Sequence, residues 1–416
     1  MKFNTALRRW SNRRIERIEH VDVVVGIPSF NNDETISFVE DTISDGVAKY
    51  LPEKKALIII ADGGSTDDTR EVALEKSIRP YVERLITIYR GIPGKGSAVR
   101  LIFEAARNLK AQAVAIFDAD LRSIKPEWIK NLLDPILKDG FHFVAPLYSR
   151  YKYDGTITNN IVYVLTRALF GKQIRQPIGG EFGFSLPLVK YLEQQDVWTT
   201  DVARYGIDIW LTINAIVNNF SICQSYLGVK IHDVKDPSDT LAAMFRQVVH
   251  TLFNLIEQYY NYWSKIEKSE SVPVFGEMEQ IEPSPFSINL EKLIDNYKEG
   301  FDHFGVLWEK IVNPESFKYL KKLHNTQNST FYIETEIWAK ILYDFLVTFH
   351  TWKKDRYKLV EIMSPLYYAK VASFVNRTKD MNDIEAEEIV HQDAEIFEKN
   401  KPYLLTKWLS SESPSL

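Results

Sequence analysis

The sequence predicts an α/β protein: a mostly parallel, doubly wound, Rossmann-like sheet followed by a C-terminal helical extension. Two observations predict it. Four short apolar runs, VDVVVGI at 21–27, ALIIIA at 56–61, LITIY at 85–89 and AVAIF at 113–117, alternate with segments whose apolar residues recur at helical spacing. Such uninterrupted, β-branched runs are the pattern of strands buried on both faces. From about residue 238 the alternation stops, and stretches such as MFRQVVHTLFNLIEQYYNYW carry apolar residues only at i, i+3 and i+4.

The first run ends at Pro28, and the turn SFNNDE leads into the amphipathic segment TISFVEDTISDGVAKYL. The second ends in DGGSTDD, where Ser65 or Thr66 is the expected N-cap of REVALEKS. The third passes through RGIPGKGSA into the helical VRLIFEAARNL, and the fourth stops abruptly at Asp118. Right-handed crossovers between parallel strands place all these polar loops at the carboxyl edge of the sheet, where open α/β sheets bind ligands. After Asp120 come FHFVAPLY, the polar YKYDGTITNN, a helix at 162–170 and the loop QPIGGEFGFS. A Pro-rich break, VPVFGEMEQIEPSPF, precedes helices expected at 290–323 and 334–352, whose aromatic stripes read as packing. The expected organisation is a basic arm at 1–20, a catalytic domain at 21–237 and a mainly helical region at 238–416. The catalytic domain divides into a nucleotide half at 21–121 and an acceptor half at 122–237.

Apolar residues make up 45% of the 416 and charged residues 26%, the balance of a globular chain. A net charge of −5 shows no basic excess, so no nucleic-acid partner is expected. The single cysteine, Cys223, requires no oxidising compartment, and the N-terminus lacks the apolar stretch of a signal peptide; a cytoplasmic location is expected. The opening MKFNTALRRWSNRRIERIEH is basic. Its arginines suit an anionic membrane surface, a partner helix or a solvated helix, and no function is assigned to it.

Chemistry concentrates at Asp118-Ala119-Asp120. Two carboxylates at the end of a buried strand would repel each other, a cost that a divalent cation removes. Mg²⁺ or Mn²⁺ prefers such hard oxygen ligands, and a capped turn is the alternative reading. Lys95 in IPGKGSA stands where flanking glycines would let the backbone approach a diphosphate at a helix N-terminus; a mobile loop lysine is the alternative. His232, in LGVKIHDVKDP, is equally consistent with a structural histidine and with a Mn²⁺ ligand.

The elements PSFNNDETI, IIIADGGSTDDT, PGKGSA and FDAD, in this order, resemble the nucleotide-binding half of the GT-A glycosyltransferases. Further on, QPIGGEF, RYGID and LGVKIHD resemble segments of the mannosylglycerate synthases and glucosyl-3-phosphoglycerate synthases, two related retaining groups. The matches cover about 21–253. The resemblance implies retaining transfer of glucose or mannose from a GDP- or UDP-linked sugar to D-glycerate, with Mg²⁺ or Mn²⁺ held by Asp118, Asp120 and His232. It places Pro28, Phe30, Asn32, Asp62, Lys95 and Asp118 around the donor. Asn32 stands where those families usually carry glutamate. It also makes Asp120, Lys95, the backbone of Ile178 and Asp208 the catalytic set. YSRYKYDGTIT resembles the mannosylglycerate synthase acceptor loop at Arg150, Asp154 and Thr158, with Gly179, Gly180 and Glu181 also on the acceptor side. In the phosphoglycerate-using group an arginine and an asparagine receive the phosphate; Thr156 and Val234 stand in their places. The resemblance therefore favours free glycerate, with 3-phosphoglycerate as the alternative if Lys152 or Lys235 compensates. A sugar-phosphate nucleotidyltransferase is disfavoured because its Gly-rich signature is missing at VGIPSFNND. A non-catalytic sugar-nucleotide-binding protein is the alternative of a different class, and a homodimer through the C-terminal helices is open.

Overall fold

The computed structural model describes residues 3–75, 78–79, 82–232, 241–277, 283 and 285–412. The chain forms two compact units, the first being 1–149, 174–234 and 272–283, and the second 150–173, 235–271 and 284–416. Residues 150–173, from the expected acceptor half, thus cluster with the C-terminal helices.

Elements are numbered along the chain. In the first unit they are α1 (Arg9–Ile18), β1 (Val23–Ser29), α2 (Ile36–Tyr50), β2 (Ala56–Asp62), α3 (Thr69–Glu75), β3 (Val82–Ile88), α4 (Lys95–Asn108), β4 (Ala113–Ile116), α5 (Glu127–Leu137) and β5 (Phe143–Ser149). After α6 (Tyr163–Phe170) and β6 (Lys172–Gln173) in the second unit, the first continues with β7 (Phe182–Ser185), α7 (Leu186–Glu193), α8 (Ile207–Val217) and β8 (Ile222–Val229). The second then supplies α9 (Ala242–Gln258), α10 (Tyr260–Trp263) and β9 (Glu270–Ser271), and the first β10 (Val274–Phe275).

The sheet has eight strands in the order β10-β8-β5-β7-β4-β1-β2-β3. All pair in parallel except β7, which runs antiparallel between β4 and β5. This is the mostly parallel, GT-A-like arrangement that the motif order implied. The four apolar runs become β1 to β4, and β2 is buried along its whole length, as its unbroken hydrophobicity requires. β7 was not legible as a strand: four residues, FGFS, are too few to show a period. Its direction matters, because an antiparallel strand presents its amino end, Gly179-Gly180-Glu181, at the edge where its neighbours present their carboxyl ends.

The start of α3 differs from expectation. Asp67, rather than Ser65 or Thr66, receives the Thr69 N–H, at 3.1 Å, while the Ser65 hydroxyl donates to Asp62. A carboxylate accepts the orphan N–H groups of a first turn more strongly than a hydroxyl. At the far edge of the sheet, α1 lies against β3: the Ser11 and Thr87 hydroxyls are 2.5 Å apart, and Arg8 Nε donates to the Ile88 carbonyl at 2.9 Å. An edge strand is thereby covered.

The second unit is helical, with α11 (Leu290–Ile311), α12 (Pro314–His324), α13 (Thr335–Thr351), α14 (Arg356–Thr378) and α15 (Asp383–Glu412) after the elements already given. Its core carries the fully buried Trp263, Trp308, Trp338 and Trp408, so the aromatic stripes are packing, as expected. A π-helical turn at Thr158–Val162 runs into α6. Among the described residues no helix is long and apolar enough to cross a membrane.

Candidate active site

Asp118 stands two residues past the end of β4, whose four residues are all buried, after the equally buried Phe117, and the strand fixes where it stands. Its two oxygens meet two lysines. Lys95 Nζ lies 2.7 Å from one and Lys230 Nζ 3.3 Å from the other. Lys95 is the first residue of α4 and reaches Asp208, in the first turn of α8, at 3.2 Å. Lys230 follows β8 and bonds Glu181 at 2.8 Å and the Gly179 carbonyl at 2.8 Å. Glu181 is fully buried and also accepts from the Tyr148 hydroxyl and the Asp118 N–H. One network of two ammonium groups and three carboxylates thus joins the ends of β4, β7, β8, α4 and α8.

Electrostatics follow from this geometry. Burial pushes the carboxyls of Glu181 and Asp208 above their ordinary range, against the pull of Lys230 and Lys95 respectively. Lys95 is held protonated: burial alone would lower its pKa, but Asp118 and Asp208 raise it well above the usual lysine value. Two unpaired carboxylates whose repulsion a cation would relieve were expected here, with a capped turn as the alternative. Asp118 instead has its charge met by two lysines, and Asp120 stands half-buried two residues on.

Two glycines permit this packing. Gly180 has φ +97°, and a Cβ there would stand 2.2 Å from Asp118 Oδ2 and 2.8 Å from Lys230 Nζ. A Cβ on Gly96 would meet the Val202 carbonyl oxygen at 1.8 Å. The glycine beside Lys95 was expected to admit a diphosphate; in the structure it admits the 202–204 segment that carries the chain toward Asp208.

His232 comes to the same edge. The Ile231 carbonyl accepts from the Arg122 N–H at 2.9 Å and the Ile231 N–H donates to Ser123 Oγ at 2.8 Å, which pins the residue before His232 just downstream of Asp120. Asp120 and His232 are both half-buried, and a carboxylate with an imidazole is a donor pair that suits Mn²⁺ and, less well, Mg²⁺. Among the described residues, however, no group of three or more His, Cys, Asp or Glu is gathered as a metal cluster. Asp118 is engaged elsewhere, so a cation would draw its remaining ligands from a bound diphosphate.

Of the expected donor residues, Asp62 is fully buried and accepts from the Gly64 and Ser65 N–H groups at 2.8 and 2.9 Å, which orders the DGGSTDD turn. Asn32 Oδ1 accepts from the Phe30 N–H at 2.9 Å, and its own N–H donates to Thr69 at 2.7 Å. Pro28 is half-buried as the penultimate residue of β1, and Phe30 is 59% exposed. Ile178 is half-buried ahead of Gly179.

Arg150, Asp154 and Thr158 belong to the second unit. Arg150 Nη1 donates to Asp154 at 3.0 Å, the Gly155 N–H donates to the other Asp154 oxygen at 2.8 Å, and Thr158 is buried in the π turn. Lys152 Nζ donates to the carbonyls of Thr378, Lys379 and Met381 at 2.8, 3.2 and 2.6 Å. The Thr156 and Tyr367 hydroxyls are 2.6 Å apart. Val234 and Lys235 lie outside the described residues.

Sequence reasoning missed Lys230 and Tyr148. A signal existed for Lys230: a lone charge directly after the fully buried run of β8 ends a buried strand much as Asp118 ends the apolar run of β4 and Phe117.

Residues 24–183 match the model of glycosyl transferase family 2. The match runs from β1 into β7 and contains Lys95, Asp118, Asp120 and Glu181, and it supports a GT-A glycosyltransferase. The glycosyltransferase AglJ of Haloferax volcanii is 28% identical over 169 residues, 39% of this chain and 50% of that protein. The chain therefore spans half the length of that curated relative. Crystal structures of glucosyl-3-phosphoglycerate synthase from Mycobacterium tuberculosis are also similar. One, with Mn²⁺, UDP and glucosyl-3-phosphoglycerate, is 25% identical, with 61% of this chain and 86% of that one covered and a TM-score of 0.45. Another, with Mg²⁺ and UDP, is 26% identical, with 60% and 85% covered and a TM-score of 0.45.

Proposed function

We propose that the protein is a metal-dependent, retaining glycosyltransferase that moves glucose or mannose from a GDP- or UDP-linked donor to D-glycerate. The observation that carries the transferase reading is the buried network of Lys95, Lys230, Asp118, Glu181 and Asp208 at the sheet edge, inside and next to the family 2 match. Lys95 is held cationic at a helix N-terminus, where the anionic leaving group of a sugar nucleotide is stabilised. Asp120 and His232 would hold the divalent cation, which when bound neutralises diphosphate charge.

The acceptor hydroxyl attacks C1 on the face from which the diphosphate leaves. The C1–phosphate oxygen bond breaks as the C1–acceptor oxygen bond forms, and the acceptor proton passes to the departing phosphate oxygen. Asp208 orients hydroxyls beside Lys95, and the backbone of Ile178 lies along the reacting face. Glu181, with no exposed surface, positions Lys230 and Asp118 rather than touching a substrate. Arg150 is assigned the glycerate carboxylate, in the bidentate geometry that a guanidinium favours, with Asp154 and Thr158 assigned to its hydroxyls.

Free glycerate over 3-phosphoglycerate rests on how the acceptor loop is spent. The Lys152 ammonium, one of two lysines able to replace the missing phosphate partners, has all three protons on main-chain carbonyls. Thr156 is buried against Tyr367 and offers no cation. A dianionic phosphate left without charged partners is costly. Incubation with UDP- or GDP-linked glucose or mannose, Mn²⁺ and D-glycerate, followed by NMR of the product, is expected to show the donor's anomeric configuration at the new linkage. An inverted anomer would refute front-face transfer, and nucleotide release without a glycoside would leave only hydrolysis.

A further inference from the structure

The basic N-terminal helix remains outside the transfer chemistry. Its inward side is explained: Ser11 and Ile15 are buried, Ser11 meets Thr87 on β3, and α1 covers the edge of the sheet. Its outward side is not. At 100° per residue, Ile18, Ser11 and Ile15 lie at 180–240° when Arg9 is set at zero, whereas Arg9, Arg13, Arg17 and Trp10 fall within 0–100° on the opposite side. All four are exposed, Trp10 by 63%. Among the described residues, the side chains of Arg9, Arg13 and Arg17 make no hydrogen bond or ion pair, whereas those of Arg8 and Arg14 on the flanks do, to Ile88 and Glu83. Glu16, at the margin of the stripe, accepts from the Asn12 amide.

Covering a sheet edge needs the inward face only. A tryptophan two-thirds in water beside a ladder of unpaired arginines has no structural task here, and solvation alone would favour a polar residue at position 10. That combination suits the headgroup layer of a membrane, where an indole sits at the apolar boundary and guanidinium groups meet phosphates. We propose that the outward face of α1 is a docking surface for anionic lipid membranes, holding the protein reversibly at the bilayer surface. Nucleic acid fits less well: it calls for a basic excess, and the chain as a whole is negative by five charges. A short stripe of three arginines gives marginal and salt-sensitive binding, weaker than a lipid anchor.

The test is flotation of the full-length protein with vesicles of phosphatidylcholine alone and of phosphatidylcholine mixed with equal phosphatidylglycerol, at low and physiological salt. Binding is expected only to the anionic vesicles, falling with salt. Each arginine replaced by glutamine should weaken partition roughly fivefold, so R9Q/R13Q/R17Q should lose on the order of a hundredfold. W10F should abolish the vesicle-induced blue shift of the emission that Trp10 contributes. A helix-to-coil loss in these variants is excluded by circular dichroism and by unchanged transfer between water-soluble substrates. Equal binding to neutral vesicles, full binding by the triple variant, or capture by a single-stranded oligonucleotide without capture by vesicles would overturn the proposal.

Discussion

Lys230→Met is expected to lower the rate of transfer by roughly 10²- to 10³-fold, the scale of losing one fixed charge or donor at a reacting centre. The cause is a buried carboxylate left unpaired. Glu181 has no exposed surface, and its strongest partner is the Lys230 ammonium at 2.8 Å, which also reaches Asp118 and the Gly179 carbonyl. Breaking one side of a buried ion pair costs about 3–5 kcal/mol, so the variant should also melt earlier. A second substitution separates the two effects. In Lys230→Met with Glu181→Gln, the stranded charge is gone, and much of the melting temperature should return while transfer stays low, because Asp118 and the Gly179-Gly180 turn have lost their tether. Full return of transfer together with stability would mean that Lys230 only balances charge. The two quantities are read by thermal melting and by initial rates on the same preparations.

Asp120→Ala is expected to cost about 10³-fold in metal-dependent turnover, equivalent to about 4 kcal/mol of transition-state stabilisation. Asp118 is engaged by Lys95 and Lys230, and Asp120 stands two residues on, just before Arg122 and Ser123, whose backbone N–H and hydroxyl hold Ile231, the residue before His232. A drop in Mn²⁺ affinity, followed by calorimetry in the presence of nucleoside diphosphate, should accompany the loss of rate. The Lys95–Asp208 ion pair, at 3.2 Å, is made by residues of α4 and α8 and should persist, so melting should change little. Undiminished metal-dependent turnover in this variant would remove Asp120 from the cation site.

Much of the fold could be read directly from the chain because its strands are buried on both faces and so announce themselves as unbroken apolar runs. β2, buried at all seven positions, is the clearest case. β7 escaped because four residues carry no period, yet its antiparallel course is what brings Glu181 to the site. The same difference runs through the candidate site. Asp118 could be found because it interrupts a strand, and Lys95 because it sits in a glycine-bearing turn. Their partnership could not be found, since ion pairs between residues as far apart as 95, 118, 208 and 230 leave no local pattern. The expectation that Asp118 lacked a partner failed for that reason. Lys152 shows the limit from the other side: a lysine in a polar loop reads as available for a phosphate, and only the carbonyls at 378, 379 and 381 reveal that its protons are taken.

Those three bonds lead to the most direct test of the central claim. Initial rates are measured with one sugar nucleotide, Mn²⁺ and either D-glycerate or 3-phosphoglycerate, and kcat/KM is compared. An acceptor loop with Arg150 set for a carboxylate and no free ammonium from Lys152 should favour D-glycerate by roughly tenfold or more, since an unpaired charged group costs upward of a kilocalorie per mole. A preference for 3-phosphoglycerate of the same size would contradict the account and assign the phosphate a partner that this reading of the loop does not supply.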